Sequence, residues 1–297
     1  MKEQTDAGET KPTTRLAQLK TAYRPPPSRA ATVKSCAMRL LLSGIVLPYA
    51  VLLVIALFFS DALIFQPPPR TYRDGPEILK LKDASGATVA ATYLPNPGAT
   101  YTILFSHGNA GDIGDFEPDF RKLHDMGFAV LSYDYPGYGL SDGKPSEAGA
   151  YRAIDAAFAH LTKTMNLPRD KIIVMGHSLG GGVATDLDAR EKVGGLILQS
   201  TFTSAFRVLT HYRILPFDKF NNIAKIGNVT CPILIAHGTN DDVIPFHHGQ
   251  ELFAAAHNPV TFHTAPGAGH DVLMDLNGKE YEKAIIDFAK TLAPPAK

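Results

Sequence analysis

Apolar positions fall along this chain in three textures. The first is a set of short runs rich in Val, Ile and Leu: TYTILFSHG, FAVLSYDYPG, KIIVMGHS, VGGLILQS, CPILIAHG and VTFHTAPG. Each gives way to Gly, Ser, His or Asp. Runs of this length, apolar at consecutive positions, predict strands buried on both faces. The second texture has apolar positions three and four apart. In SEAGAYRAIDAAFAHLTKTMN they are Ala150, Ile154, Ala157, Phe158 and Leu161, which predicts a helix with one apolar side. Ser146 and Glu147 supply a hydroxyl cap and an acid at its start. KEYEKAIIDFAKTLA predicts a second such helix. Strand and helix alternate, so the expected fold class is α/β: a mostly parallel sheet with helices on both faces.

The third texture is a single stretch. Leu40–Ser60 carries no charge over 21 residues. That is long enough for a helix to span a hydrocarbon core of about 30 Å. Lys20, Arg24, Arg29, Lys34 and Arg39 precede it, while Asp61 follows it at once. By the positive-inside rule the N-terminus stays cytoplasmic and the rest of the chain lies on the far side. A cleaved signal peptide is the competing reading; the long polar tail and the length of the apolar run favour an uncleaved anchor. The expected organisation is a polar cytoplasmic tail over 1–39, a transmembrane anchor over 40–60 and a linker over 61–74. An α/β domain fills 75–297, with a short cap at about 201–228. FQPPPRTYRD makes the linker stiff, because consecutive prolines favour extended chain.

Composition adds exclusions. Of 297 residues, 45% are hydrophobic and 20% charged, and the formal net charge is zero. No field draws nucleic acid, and no nucleic-acid partner is expected. Cys36 and Cys231 are too few for a disulfide framework and are read as separate thiols.

Chemistry gathers where strands end. Gly176-His177-Ser178-Leu179-Gly180 is G-x-S-x-G between a strand-like run and a helix-compatible one. A serine turned sharply from strand into helix needs neighbours without Cβ atoms, and the turn exposes its hydroxyl above the sheet. Such a hydroxyl needs a base, and the base needs a carboxylate to orient it. Asp241 and Asp242 follow one later apolar run, and His270 sits in a Gly-rich loop after the last. The loop geometry admits either acid.

Five motifs in order, LFSHGNAGDIGDF, SYDYPGYGLSDGKPSE, GHSLGG, HGTNDDVIPF and GAGH, together with IFQPPP, resemble the alpha/beta-hydrolase superfamily. More narrowly they resemble its membrane-anchored branch, which includes the depalmitoylating alpha/beta-hydrolase-domain proteins and their bacterial relatives. The resemblance implies the alpha/beta-hydrolase fold, with Ser178 as nucleophile, His270 as general base and acid, and Asp241 as the orienting carboxylate. It implies an oxyanion hole from the backbone N–H groups of Leu179 and Asn109, with Ala110 the alternative to Asn109. It also implies a membrane-bound serine hydrolase acting on a small-molecule or lipid-like acyl ester or thioester, with no cofactor and no metal. A peptidase, an acyltransferase or a silent membrane-bound binding protein are the competing functions.

Other residues invite weaker readings. His107 is expected to brace the oxyanion loop, His177 to pack, His237 to be structural, and Asp134 to hold loops. His247-His248 lacks a third ligand and reads as a surface or helix-start pair. The apolar residues of 201–228 are expected either to pack on the core or to wall an acyl pocket.

Overall fold

The computed structural model describes residues 32–34, 38–39, 41–271 and 278–292. Cys36 and most of the expected polar tail lie outside them. The chain forms two compact units, Met1–Leu57 and Phe58–Lys297.

The apolar run at the N-terminus is divided. Leu42–Val46 is a π-helical turn, α1 covers Leu47–Phe58, and α2 covers Ser60–Ile64. The winding changes just before Pro48, whose ring nitrogen has no hydrogen to donate. Phe59 leaves helical geometry at φ −121°, ψ −2°. Helical backbone runs on from that turn through the 12 residues of α1 and stops at Phe59. Beyond that break, Asp61 pairs with Lys219 at 3.1 Å and Phe65 is buried in a core. Among the described residues no helix is long and apolar enough to cross a membrane. This overturns the expected transmembrane anchor over 40–60, and with it the single-pass placement of the catalytic domain on the far side. Uncharged length was legible in the sequence; the points at which the helix breaks were not.

The second unit is built on one eight-stranded sheet. Its strands are β1 (Ile78–Lys82), β2 (Thr88–Leu94), β3 (Thr102–Ser106), β4 (Ala129–Tyr133), β5 (Ile172–His177), β6 (Gly195–Gln199), β7 (Ile233–Gly238) and β8 (Val260–Ala265). The order is β1-β2-β4-β3-β5-β6-β7-β8. From β4 to β8 every pairing is parallel, while β1 and β2 pair antiparallel and β2 meets β4 antiparallel. All six apolar runs became β3–β8. β1 and β2 were not anticipated, because Ile78-Leu79-Lys80-Leu81-Lys82 is an edge strand with alternate residues exposed.

Continuous apolarity has a direct cause here. Side chains alternate across a strand, and successive residues enter two different cores. In β3, Leu104 joins one core while Ile103 and Phe105 join the other. In β5, Val174 faces the first, and Ile173 and Met175 the second. Among the described residues, the remaining α-helices of this unit are α3 (Glu117–Asp125), α4 (Glu147–Ala159), α5 (Leu179–Arg190), α6 (Ala205–Thr210), α7 (Asn222–Lys225), α8 (His247–Ala255) and α9 (Gly278–Thr291). Ile154 of α4 and Leu187 of α5 cover the first face; Leu123 of α3 and Ile285 of α9 cover the second. Ser146 caps α4 by accepting from the Gly149 amide at 3.1 Å.

Candidate active site

The local fold around Ser178 follows from its neighbours. Ser178 sits between β5 and α5 at φ 54°, ψ −118°, a region an L-residue rarely adopts. The turn is tight enough that a Cβ on Gly176 would lie 2.4 Å from the Gly180 carbonyl oxygen. One on Gly180 would lie 2.0 Å from the Ser106 carbonyl oxygen. Any larger residue at either position would push the serine turn off the sheet. The Ser178 amide donates to the Gln199 carbonyl at 2.9 Å, which ties the turn to β6.

Three predicted side chains meet at this point. His270 Nε2 lies 2.8 Å from Ser178 Oγ. His270 Nδ1 lies 2.9 Å from Asp241 Oδ2. An ionised carboxylate only accepts, so Nδ1 carries the proton and Nε2 presents a lone pair to the hydroxyl. All three residues are buried.

The structure separates the two adjacent acids. Asp241 is buried and Asp242 is exposed. Asp241 Oδ1 accepts from the amides of Ile244 at 2.7 Å and Val243 at 3.1 Å. Burial opposes its charge, but hydrogen bonds from His237, His270 and the Ile244 amide outweigh it and hold the carboxyl well below the usual range. His237, read from sequence as structural, is thus a neighbour of the acid. Its Nε2 lies 3.2 Å from Asp241 Oδ2 and 2.8 Å from the Ile244 carbonyl. A histidine four residues before the acid, at a strand end, was the available signal.

Opposite the triad lies the loop after β3. Asn109 Oδ1 accepts from the Gln66 amide at 3.0 Å and from the Tyr138 hydroxyl at 2.7 Å. Asp112 accepts from the Thr71 amide at 2.8 Å and also from its hydroxyl. Asp134 accepts from the Ile113 amide at 2.9 Å and from the Tyr72 hydroxyl. Residues 65–72 therefore run as a strap behind the loop. His107, buried, places Nε2 3.4 Å from Asp134 Oδ1, and its carbonyl accepts from Tyr135 at 2.7 Å. Of the two candidate oxyanion donors, Asn109 lines the same cavity as Ser178, and Leu179 begins α5 directly after it.

That cavity has a volume of about 410 Å³. Its apolar lining comes from Phe105, Ala110, Phe116, Leu123, Met175 and Val243. Among the described residues none of 201–228 lines it. Phe202 and Phe220 instead pack into the core beside Phe65, while Leu209 and Tyr212 are 83% and 77% exposed.

Among the described residues, one group of side chains is close enough to hold a metal ion. Ligating atoms of His177, His270 and Asp271 lie within 4.8 Å of one another. They are already engaged: His270 with Ser178 and Asp241, and His177 Nε2 with Asp271 Oδ1 at 3.2 Å. Burial holds the His177 imidazole below its usual pKa, so it meets the Asp271 carboxylate as a neutral donor. His247 starts α8, and His248 Nδ1 lies 2.9 Å from Thr203 Oγ1.

Comparison with known proteins gives the same picture. Residues 98–221 match the family model described as "Serine aminopeptidase, S33". Residues 202–294 match the "Prolyl oligopeptidase family". Alpha/beta hydrolase domain-containing protein 17B of Xenopus tropicalis is 39% identical over 215 residues, covering 71% of this chain and 74% of that protein. Its human counterpart is 38% identical over the same length, with the same coverage. Among solved structures, the Pyrococcus furiosus esterase Pf2001 has a TM-score of 0.65 at 17% identity. It covers 77% of this chain and 98% of its own. Est1E of Butyrivibrio proteoclasticus, solved with ferulic acid, has a TM-score of 0.60 at 22% identity, covering 72% and 99%. The chain belongs to the alpha/beta-hydrolase family and is a serine hydrolase.

Proposed function

We propose that this chain hydrolyses a carboxylic ester or thioester of an acyl substrate through an acyl-enzyme. The observation that carries this reading is the continuous chain Ser178 Oγ–His270 Nε2 and His270 Nδ1–Asp241 Oδ2, at 2.8 and 2.9 Å, beside an apolar cavity. Ser178 Oγ attacks the carbonyl carbon as its proton passes to His270 Nε2. Asp241 holds the resulting imidazolium in place. The oxyanion is held by the amides of Leu179 and Asn109; losing one such donor typically costs about 10²–10³ in turnover. Collapse of the intermediate breaks the bond to the leaving oxygen or sulfur, which takes the proton from His270. Water then repeats the sequence: His270 accepts its proton, the hydroxide adds to the acyl carbon, and the proton returns to Ser178 as the acid departs. The residues after the strap, 75–297, make up the catalytic domain.

Fluorophosphonate labelling of the full chain and of Ser178→Ala tests the nucleophile. Labelling of the first and none of the second is expected. A para-nitrophenyl ester series from two to sixteen carbons, set beside one para-nitroanilide, then ranks ester against amide. Faster turnover of the anilide would overturn the ester reading in favour of a peptidase, the activity named by the two matching family models.

A further inference from the structure

The cavity beside Ser178 has two ends of different character. Its floor is apolar: Phe105, Leu123 and Met175 are buried. Its rim is acidic. Asp115 and Asp271 line it and are exposed, and Asp119 lines it on α3. Among the described lining residues there is no Lys or Arg. Asp115 Oδ2 accepts an amide hydrogen from Asp112 at 3.1 Å. Asp271 faces a histidine that burial keeps neutral. Neither bond brings a compensating positive charge. These carboxylates line the same cavity as Ser178 and His270.

An apolar floor takes an acyl chain. The rim then meets what hangs on the other side of the scissile bond. Carboxylates at the mouth of a low-dielectric cleft attract a cation and repel an anion, and the walls focus that field. Resting on the ester or thioester reading above, we infer that the preferred substrate is an acyl ester or thioester whose leaving group carries positive charge. Acyl compounds with polyanionic leaving groups are poor substrates by the same field. The rim also repels the carboxylate product, so the released acid inhibits weakly.

The test uses three octanoyl thioesters: of thiocholine (cationic), of 2-mercaptoethanol (neutral) and of 3-mercaptopropionate (anionic). In each, water cleaves the same acyl–sulfur bond and frees a thiol, which is followed directly. The expected kcat/KM order is cationic, neutral, anionic, with about ten-fold or more between the ends at low salt. Screening at about 1 M salt, where the Debye length is about 3 Å, shrinks that ratio severalfold. In Asp115→Asn/Asp271→Asn the cation-to-anion ratio, normalised to the neutral thioester in the same variant, falls at least about three-fold. Equal rates for the three thioesters, or a preference that survives both the double variant and high salt, overturn the inference. Calorimetric titration of octyltrimethylammonium and of octyl sulfate into the same protein reads the rim without turnover. Tighter binding of the cation, lost in the double variant, supports the inference even if no thioester is cleaved, in which case it is the hydrolase chemistry that fails. Equal binding of the two amphiphiles sinks the charge preference whatever the enzyme hydrolyses.

Discussion

The two sides of the active site are held in different ways. On the triad side, the groups proposed to react also position one another: His270 touches both Ser178 and Asp241. On the oxyanion side, the backbone amide that would do the chemistry is positioned by atoms that never meet substrate. Gln66 and Tyr138 hold the Asn109 side chain, and Thr71 and Tyr72 hold Asp112 and Asp134. The first arrangement concentrates function in three residues. The second spreads it over a strap contributed by chain that precedes the sheet.

Substitutions can break this contrast, beginning with the largest expected effect. Ser178→Ala should lower turnover by about 10⁶, down to what binding and the oxyanion donors supply. Asp241→Asn should cost about 10⁴, because the amide no longer fixes the imidazole tautomer. Asp242→Asn should change kcat by less than about three-fold, since the exposed carboxylate lies outside the hydrogen-bonded set. Steady-state kinetics on the para-nitrophenyl ester with the best chain length compares all three, and a larger loss in Asp242→Asn would reassign the acid. Asn109→Ala keeps the backbone amide but releases it from Gln66 and Tyr138. It should cost about 10- to 100-fold in kcat, the scale of a misplacement near 1 Å, with little change in KM. Affinity for a trifluoromethyl ketone should fall in step. If kcat and ketone affinity both hold, the strap serves stability alone.

The smallest effect concerns acid stability. The Asp241 carboxyl is held below its ordinary value, so it contributes stability that is fully present above the unfolded value of about 3.9. That contribution is lost as pH falls through the lower folded value. Urea unfolding at pH 7 and pH 3 should therefore show wild type ahead of Asp241→Asn at pH 7, with the gap narrowing at pH 3. A constant gap would assign the difference to packing.

The same contrast explains what was legible in the sequence. Ser178, Asp241 and His270 were visible because nucleophilic chemistry admits few residue types and places each after a strand. β3–β8 were visible because burial on two faces leaves uninterrupted apolar runs. The strap was not visible, because it is made of backbone amides and hydroxyls paired across 43 and 72 positions, and no residue type announces such a bond. The place of His237 was legible only as structural, because its role lies in facing Asp241 across the loop. The apolar residues of 201–228 offered a wall for the acyl chain, yet the cavity took its wall from β3, β5 and α3. The run at 40–60 misled because hydropathy sums over a window, whereas a helix ends at single residues such as Phe59.

The backbone of Ser178 has one further consequence. At φ 54° and ψ −118°, a residue with a Cβ carries a conformational penalty of about 1–3 kcal/mol, which glycine largely escapes. The position proposed as nucleophile is therefore one where the fold alone would be better served by a different amino acid. Ser178→Gly should melt higher than wild type while being inert, and Ser178→Ala, which keeps the Cβ, should gain much less. A rise in melting temperature on erasing the proposed nucleophile would mark that turn as one kept for chemistry, at a standing cost to how long the fold lasts.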